Sequence, residues 1–116
     1  MIKYSELEEI FRSNGVDIHE FNLETDEEYD LPFAVYRIND GESFSADGIT
    51  YYQMFEIALA FFDETLNFAM QNTIENILIN NGTYFDKRVN FDAEVRVYSI
   101  SYLFTVEDDG VDKNTI

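Results

Sequence analysis

The chain has 116 residues, with 24 acidic and seven basic side chains, a formal net charge of −17 and no cysteine. That length fits one domain, 1–116, and not two independent cores; the cysteine count excludes a disulfide framework and a thiolate metal site. So dense a negative field opposes direct binding to nucleic acid phosphates or anionic membrane surfaces.

A hydrophobic content of 46% supplies enough apolar surface for a packed interior. The opening residues MIKYSELEEIF lack the apolar run of a signal peptide, and the longest such run, IALAFF at 57–62, is too short to cross a bilayer. A soluble, intracellular protein is the expectation. Ten of the acids, opposed only by Lys3 and Arg12, fall in the first 31 residues. Such charge keeps a protein soluble, lines a surface that must not adhere to DNA, or imitates DNA to occupy a nuclease or repressor.

The first predicted element is a helix. Ser5 and Glu8 make the S-x-x-E capping box, Leu7, Ile10 and Phe11 form an apolar stripe, and SNG at 13–15 closes it, with Gly15 free to take a left-handed cap. The acidic stretch about 17–31 has little periodicity and reads as a loop or arm. After Pro32, LPFAVYRI reads as a strand bounded by the turn cluster NDGES, residues Asn39, Asp40, Gly41, Glu42 and Ser43. FSADG then offers a short strand and a tight turn at Gly48.

The stretch ADGITYYQMFEIALAFFDET fits two periods. With period two, Ile49, Tyr51, Phe55, Ile57, Leu59 and Phe61 share a face; with period 3.6, Phe55, Leu59, Phe62, Leu66, Ala69 and Met70 align. Local chemistry favours a strand over 49–62 followed by a helix over 64–80: Asp63 is a good N-cap and Glu64 suits the first turn, whereas Ile-Thr-Tyr-Tyr and Phe61-Phe62 suit a strand. NNG at 80–82 ends the helix.

TYFDKRV is a short candidate strand. In EVRVYSISYLFTVED, Tyr98, Ile100, Tyr102, Phe104 and Val106 alternate with Val97, Ser99, Ser101, Leu103 and Thr105, which predicts a strand with one buried face. Residues 108–116 read as a frayed tail. The order predicts an α+β fold, a mainly antiparallel sheet of four to five strands with two helices packed on one face.

No residues are nominated for catalysis, cofactor or metal. His19, the only histidine, stands alone in the acidic stretch and reads as a surface residue without a role; Asp108, Asp109 and Asp112 do not follow the calcium-loop spacing; no phosphate loop or nucleophile elbow occurs. An enzyme is not expected. The eight tyrosines suit half-buried strands and also protein interfaces. The 49–62 strand has a second face bearing Tyr52 and the small Ala58 and Ala60, which a neighbouring subunit or another helix could cover.

The segments LPFAVYRINDGESFSADGITYYQMFEIALAFFD and IENILINNGTYFDKRVNFDAEVRVYSISYLFTVED resemble the small tail-completion and tail-terminator proteins of long-tailed, siphovirus-type bacteriophages. The likeness lies in the strand from Pro32 to Tyr36, Ala46-Asp47 with Tyr51-Tyr52, the helix start at Asp63 and the run from Tyr84 to Phe104. It implies a structural protein that forms a ring, commonly of six, at the head-proximal end of the tail in the virion, after assembly in the host cytoplasm. Its implied partners are further copies of itself, the tail tube protein and the neck or head-completion protein, with neither sequence-specific nucleic acid binding nor membrane. Asn39, Asp40, Gly41, Glu42 and Ser43 are then the expected contact with tube or neck, and an acidic lumen would let DNA pass. The rival reading is an acidic DNA mimic or inhibitor that binds a nuclease or other DNA-binding protein. A mimic needs carboxylates spaced along one extended face, whereas these acids cluster toward the ends.

Overall fold

The computed structural model describes residues 1–21, 28–46 and 49–108, and for 40–53 the backbone alone. The expected turn at Gly48, the acids Glu24, Asp26 and Glu27, and the tail from 109 onward lie outside the described residues.

The fold is α+β. Strands β1 (Ile18–Glu20), β2 (Phe33–Ala46), β3 (Ile49–Asp63), β4 (Phe85–Asp92) and β5 (Val97–Glu107) form one sheet in the order β1-β2-β3-β5-β4. Only β1 runs parallel to its neighbour; the other pairs are antiparallel. Helix α1 (Leu7–Ser13) precedes the sheet, and α2 (Phe68–Asn80) carries the chain from β3 to β4.

Alternation along β3 and β5 determines where the core lies. Ile57, Leu59 and Phe61 on β3, and Ile100, Tyr102, Phe104 and Val106 on β5, are buried on one face with Ala34 and Tyr36 of β2. Both helices cover that face. Leu7 and Phe11 of α1 join the same core, Phe11 stacking on Phe104 at 6.4 Å, and Ile74, Ile77 and Leu78 of α2 complete it. The period-two reading of 49–62 therefore holds, and β3 adds only Asp63.

Several expected boundaries move. The chain opens with a 3-10 turn, Tyr4–Glu6, and α1 begins at Leu7 with no side-chain cap from Glu6. The Glu8 carboxylate links the helix to the sheet: its Oε2 accepts from the Tyr36 hydroxyl at 2.9 Å and its Oε1 pairs with Arg12 at 2.9 Å. At the other end Gly15 takes φ +86°, the left-handed turn expected of it.

Helix α2 starts four residues later than Asp63 and Glu64 suggest. Asp63 caps a local bend, accepting from the Glu64 N–H at 2.7 Å and the Asn67 Nδ2 at 2.7 Å. Asn67 is the true N-cap; its backbone is left-handed (φ 45°, ψ 63°) and its side chain accepts from the Met70 N–H. Asparagine tolerates that conformation because its short polar side chain bonds locally.

Two loop readings are also overturned. The acidic stretch contains a strand, since Ile18, His19 and Glu20 pair with Ala34, Val35 and Tyr36. NDGES is not a turn but the middle of β2, where the register slips between Ile38 and Asp40, so Asn39 is the extra residue of a bulge. Tyr84, expected on a strand, sits just before β4 and is 94% exposed.

Candidate interaction surface

With both helices on one face, the other face of the sheet has no helical cover among the described residues. It presents the alternate residues: Val35 and Arg37 on β2, Ala58 and Ala60 on β3, Ser99, Ser101 and Leu103 on β5. The backbone register places Arg37 opposite Ala58, Val35 opposite Ala60, and Ser101 on the far side of Ala60. Because Ala and Ser are small, the centre of this face is hollow. Phe21, Val35, Arg37, Ala58, Ala60 and Ser101 line a shallow groove of about 290 Å³. Its floor is apolar and its charged side chain is a guanidinium, in a protein of net charge −17.

One end of the open face is built over by rings. His19 stacks on Tyr29 at 3.8 Å, Tyr29 meets Phe33 at 5.4 Å, and Phe33 meets Phe62 at 5.2 Å. Aromatic pairs at such distances stabilise by about 0.5–1.5 kcal/mol each beyond their buried area. His19 thus anchors the entry of the acidic stretch and Tyr29 its exit, a role the expectation of an idle surface histidine missed. The His19 Nε2 also stands 2.7 Å from Asp17 Oδ1, near enough for an ion pair when protonated, but without hydrogen-bond geometry.

The second feature is an arm. Strand β5 ends beside β3 at the pairing of Glu107 with Met54, and Met54 in turn lies opposite Glu42. Beyond that point β2 and β3 continue together, pairing Ser43 with Gln53, Phe44 with Tyr52, Ser45 with Thr50 and Ala46 with Ile49. Four more residues of β2 extend the ribbon by roughly 13 Å at a rise of ~3.3 Å each. The ribbon has no third strand among the described residues, and a two-stranded ribbon by itself is marginally stable in water.

At the root of the arm the bulge at Asn39 is clamped across the ribbon, its Nδ2 donating to Glu56 Oε1 at 2.6 Å. A bulge bends its strand and increases the local twist, so Asn39 sets the angle at which the arm leaves the sheet.

The expected interface residues therefore belong to one hairpin but to two parts of it. Asn39, Asp40, Gly41, Glu42 and Ser43 form the root and first rungs of the arm, and the backbone of Tyr52 lies farther along it opposite Phe44. Ala58 and Ala60 floor the groove on the open face. Sequence reasoning missed Phe21, Val35, Arg37 and Ser101, because they converge on the groove from three other strands or strand ends.

On the covered face each helix is pinned to the sheet by one carboxylate and one buried phenol. Tyr36 donates to Glu8 of α1, and Tyr102 donates to Glu75 of α2 at 2.9 Å. Burial foremost, then the bond to the carboxylate and its charge, pushes both phenols well above their ordinary range. Among the described residues, no group of three or more His, Asp or Glu side chains could hold a metal ion. No helix among them is long and apolar enough to cross a membrane. No family model matches the chain, and no curated protein matches it.

Proposed function

We propose that this is a structural protein of a long-tailed phage, which terminates the tail tube as a ring and presents the tail-side surface for head joining. The observation that carries the reading is the β2–β3 arm. A ribbon projecting about 13 Å past its own sheet, with no third strand among the described residues, is an element whose stability a neighbour can complete. In a closed head-to-tail ring each subunit offers one surface and receives a different one. The arm is the surface offered, and the hollow open face floored by Ala58 and Ala60 receives it.

The charge distribution supports the same arrangement. Among the described residues the groove is lined by Arg37 and by no carboxylate. Subunits can then pack through a weakly charged surface while the remaining carboxylates face a lumen through which DNA passes without adhering. Asn39 through Ser43 at the arm's root meet the tube or neck.

The test is to cut the arm back. Residues 43–53 are replaced by a two-residue Asn-Gly turn joining Glu42 to Met54, a connection suited to a tight hairpin. Full-length protein added to open tail tubes should give a ring at one end of each tube, visible by negative stain, and the shortened protein should leave the ends bare. Equal capping by both proteins would overturn the arm's role. No capping by either, together with tight binding of the full-length protein to a nuclease, would replace the reading with the DNA-mimic alternative.

A further inference from the structure

The two edges of the sheet are treated differently. At β1 the edge is blocked: Arg12 reaches across from α1, and its Nη2 donates to the Ile18 carbonyl at 2.8 Å. At β4 no such guard is present among the described residues. Among the described residues strand β4 pairs with β5 on one side only, and seven of its eight residues are exposed. In an antiparallel strand every second residue turns its N–H and C=O to the free side, so β4 presents a row of unpaired backbone groups.

Native proteins protect such an edge with an outward lysine, a proline or a short strand. Here the strand is eight residues long and contains no proline. Its lysine, Lys87, is turned back onto α2, where Nζ meets Glu75 Oε2 at 2.7 Å. Val89 and Phe91 are 48% and 50% exposed, on the face shared with the helices. Arg88 has no ion-pair partner among the described residues.

The sequence FDKRVNFD is self-complementary in one register. With a two-fold axis through Asn90, Val89 falls opposite Phe91 of a second copy, twice, and Arg88 opposite Asp92, twice, with Asn90 against Asn90 at the centre. Directly opposed residues point to the same side, so the apolar pairs lie on the helix side and the ion pairs on the open side. The other registers are poorer: an axis through Phe91 leaves only Asn90 to Asp92 within the strand, and those nearer its start fail on charge. An axis through Lys87 opposes lysine to lysine, one through Arg88 opposes arginine to arginine, and one through Val89 sets Asp86 against Asp92. Glu94 lies in the turn after β4 and outside the ladder.

From this we infer that the free protein is a two-fold dimer joined through β4, its partner a second copy of the same chain. The two sheets become one of ten strands with all four helices on one side. Each Arg88 meets the other copy's Asp92, and Val89 covers the side of Phe91 left open by its contact with Tyr98 at 4.7 Å. A two-fold contact cannot recur around a one-directional ring. The dimer therefore belongs to the protein before assembly, and it seals an adhesive edge that the arm and groove do not use. The inference does not depend on the tail-terminator reading.

The experiment measures mass by light scattering from micromolar to submillimolar concentration for the wild type, Arg88→Asp and Asp92→Arg, with circular dichroism to check folding. The wild type should have dimer mass. Arg88→Asp, which turns both ion pairs into repulsions, should weaken the dimer by roughly a hundredfold, and Asp92→Arg should do the same. An equimolar mixture of the two variants should regain dimer mass, because each restores the other's opposite charge. In the cysteine-free chain, Asn90→Cys should give a disulfide-linked dimer under mild oxidation, and this readout stands even if Asp92→Arg folds poorly. A monomeric wild type at every concentration, a mass that Arg88→Asp leaves unchanged, or no cross-link from Asn90→Cys would each overturn the inference.

Discussion

The Tyr102 hydroxyl and the Lys87 ammonium converge on one oxygen, Glu75 Oε2, at 2.9 and 2.7 Å. Glu75 projects from α2, Tyr102 stands on the interior strand β5, and Lys87 comes from the edge strand β4. A single carboxylate thereby ties the helix to two strands. Tyr102 is fully buried, so its hydroxyl depends on that partner.

Removing one end of this linkage should cost more than removing the other. In Tyr102→Phe, Glu75 keeps Lys87 and loses one charge-assisted bond, a loss of about 1–2 kcal/mol. In Glu75→Ala the buried hydroxyl is stranded as well, and the loss should reach about 2–4 kcal/mol. Urea unfolding of the two variants checks the order; equal losses would contradict it.

Alkaline pH should destabilise the fold through Tyr36 and Tyr102. Burial, and next the bonds to Glu8 and Glu75, raise both phenols above the ordinary value of 10.0. The folded state therefore holds these protons more tightly than the unfolded chain. The resulting stabilisation is fully present below pH about 10 and is lost as the pH rises above it toward the raised folded values. Unfolding midpoints should be level between pH 8 and 9 on this account, since phenols ionise near ~10, and should fall at higher pH. The double variant Tyr36→Phe, Tyr102→Phe should fall less steeply; an identical slope would refute the assignment.

Asn67 performs two tasks, a left-handed backbone turn and an N-cap, which separate by substitution. Asn67→Ala loses the bond to the Met70 N–H and places a methyl side chain at φ 45°, for a loss of about 2 kcal/mol. Asn67→Gly loses the side-chain bond but relieves the backbone, so its loss should be about 1 kcal/mol or less. Thermal or chemical unfolding of the two variants reads the difference directly.

On the open face, Ala60→Arg should leave the fold nearly unchanged and fill the groove. The site is half-buried on a face without helical cover among the described residues, where substitutions shift stability by about 0.5 kcal/mol. The expected outcome is a normal unfolding curve with tube capping abolished. Capping that survives would mean the groove is not the receiving surface.

Much of this architecture is legible in the sequence because it rests on alternation. Tyr98 to Val106 announce a strand with one buried face, and Ala58 and Ala60 announce a second face with room in it. Reading by local pattern failed where one signature serves two geometries. An aspartate before an apolar stripe marks a helix cap or a bend, and at Asp63 it marks the bend. Small polar residues mark a turn or a bulge, and at Asn39 they mark the bulge. Strand β1 is three residues long, too short to show a period, and it is defined by Ala34 to Tyr36 far along the chain. The stack of His19, Tyr29, Phe33 and Phe62, and the groove's ring of Phe21, Val35, Arg37 and Ser101, are tertiary arrangements with no trace in local order.

The most direct measurement of the central claim is electron microscopy of particles made by the genome that encodes this chain, with and without a stop codon in its gene. The account predicts tails of uniform length joined to heads when the protein is made. Without it, tubes should be overlong and uneven, with heads unattached, and supplying the protein in trans should restore joining. Tails of normal length joined to heads in its absence, or no tailed particles in either preparation, would contradict the account.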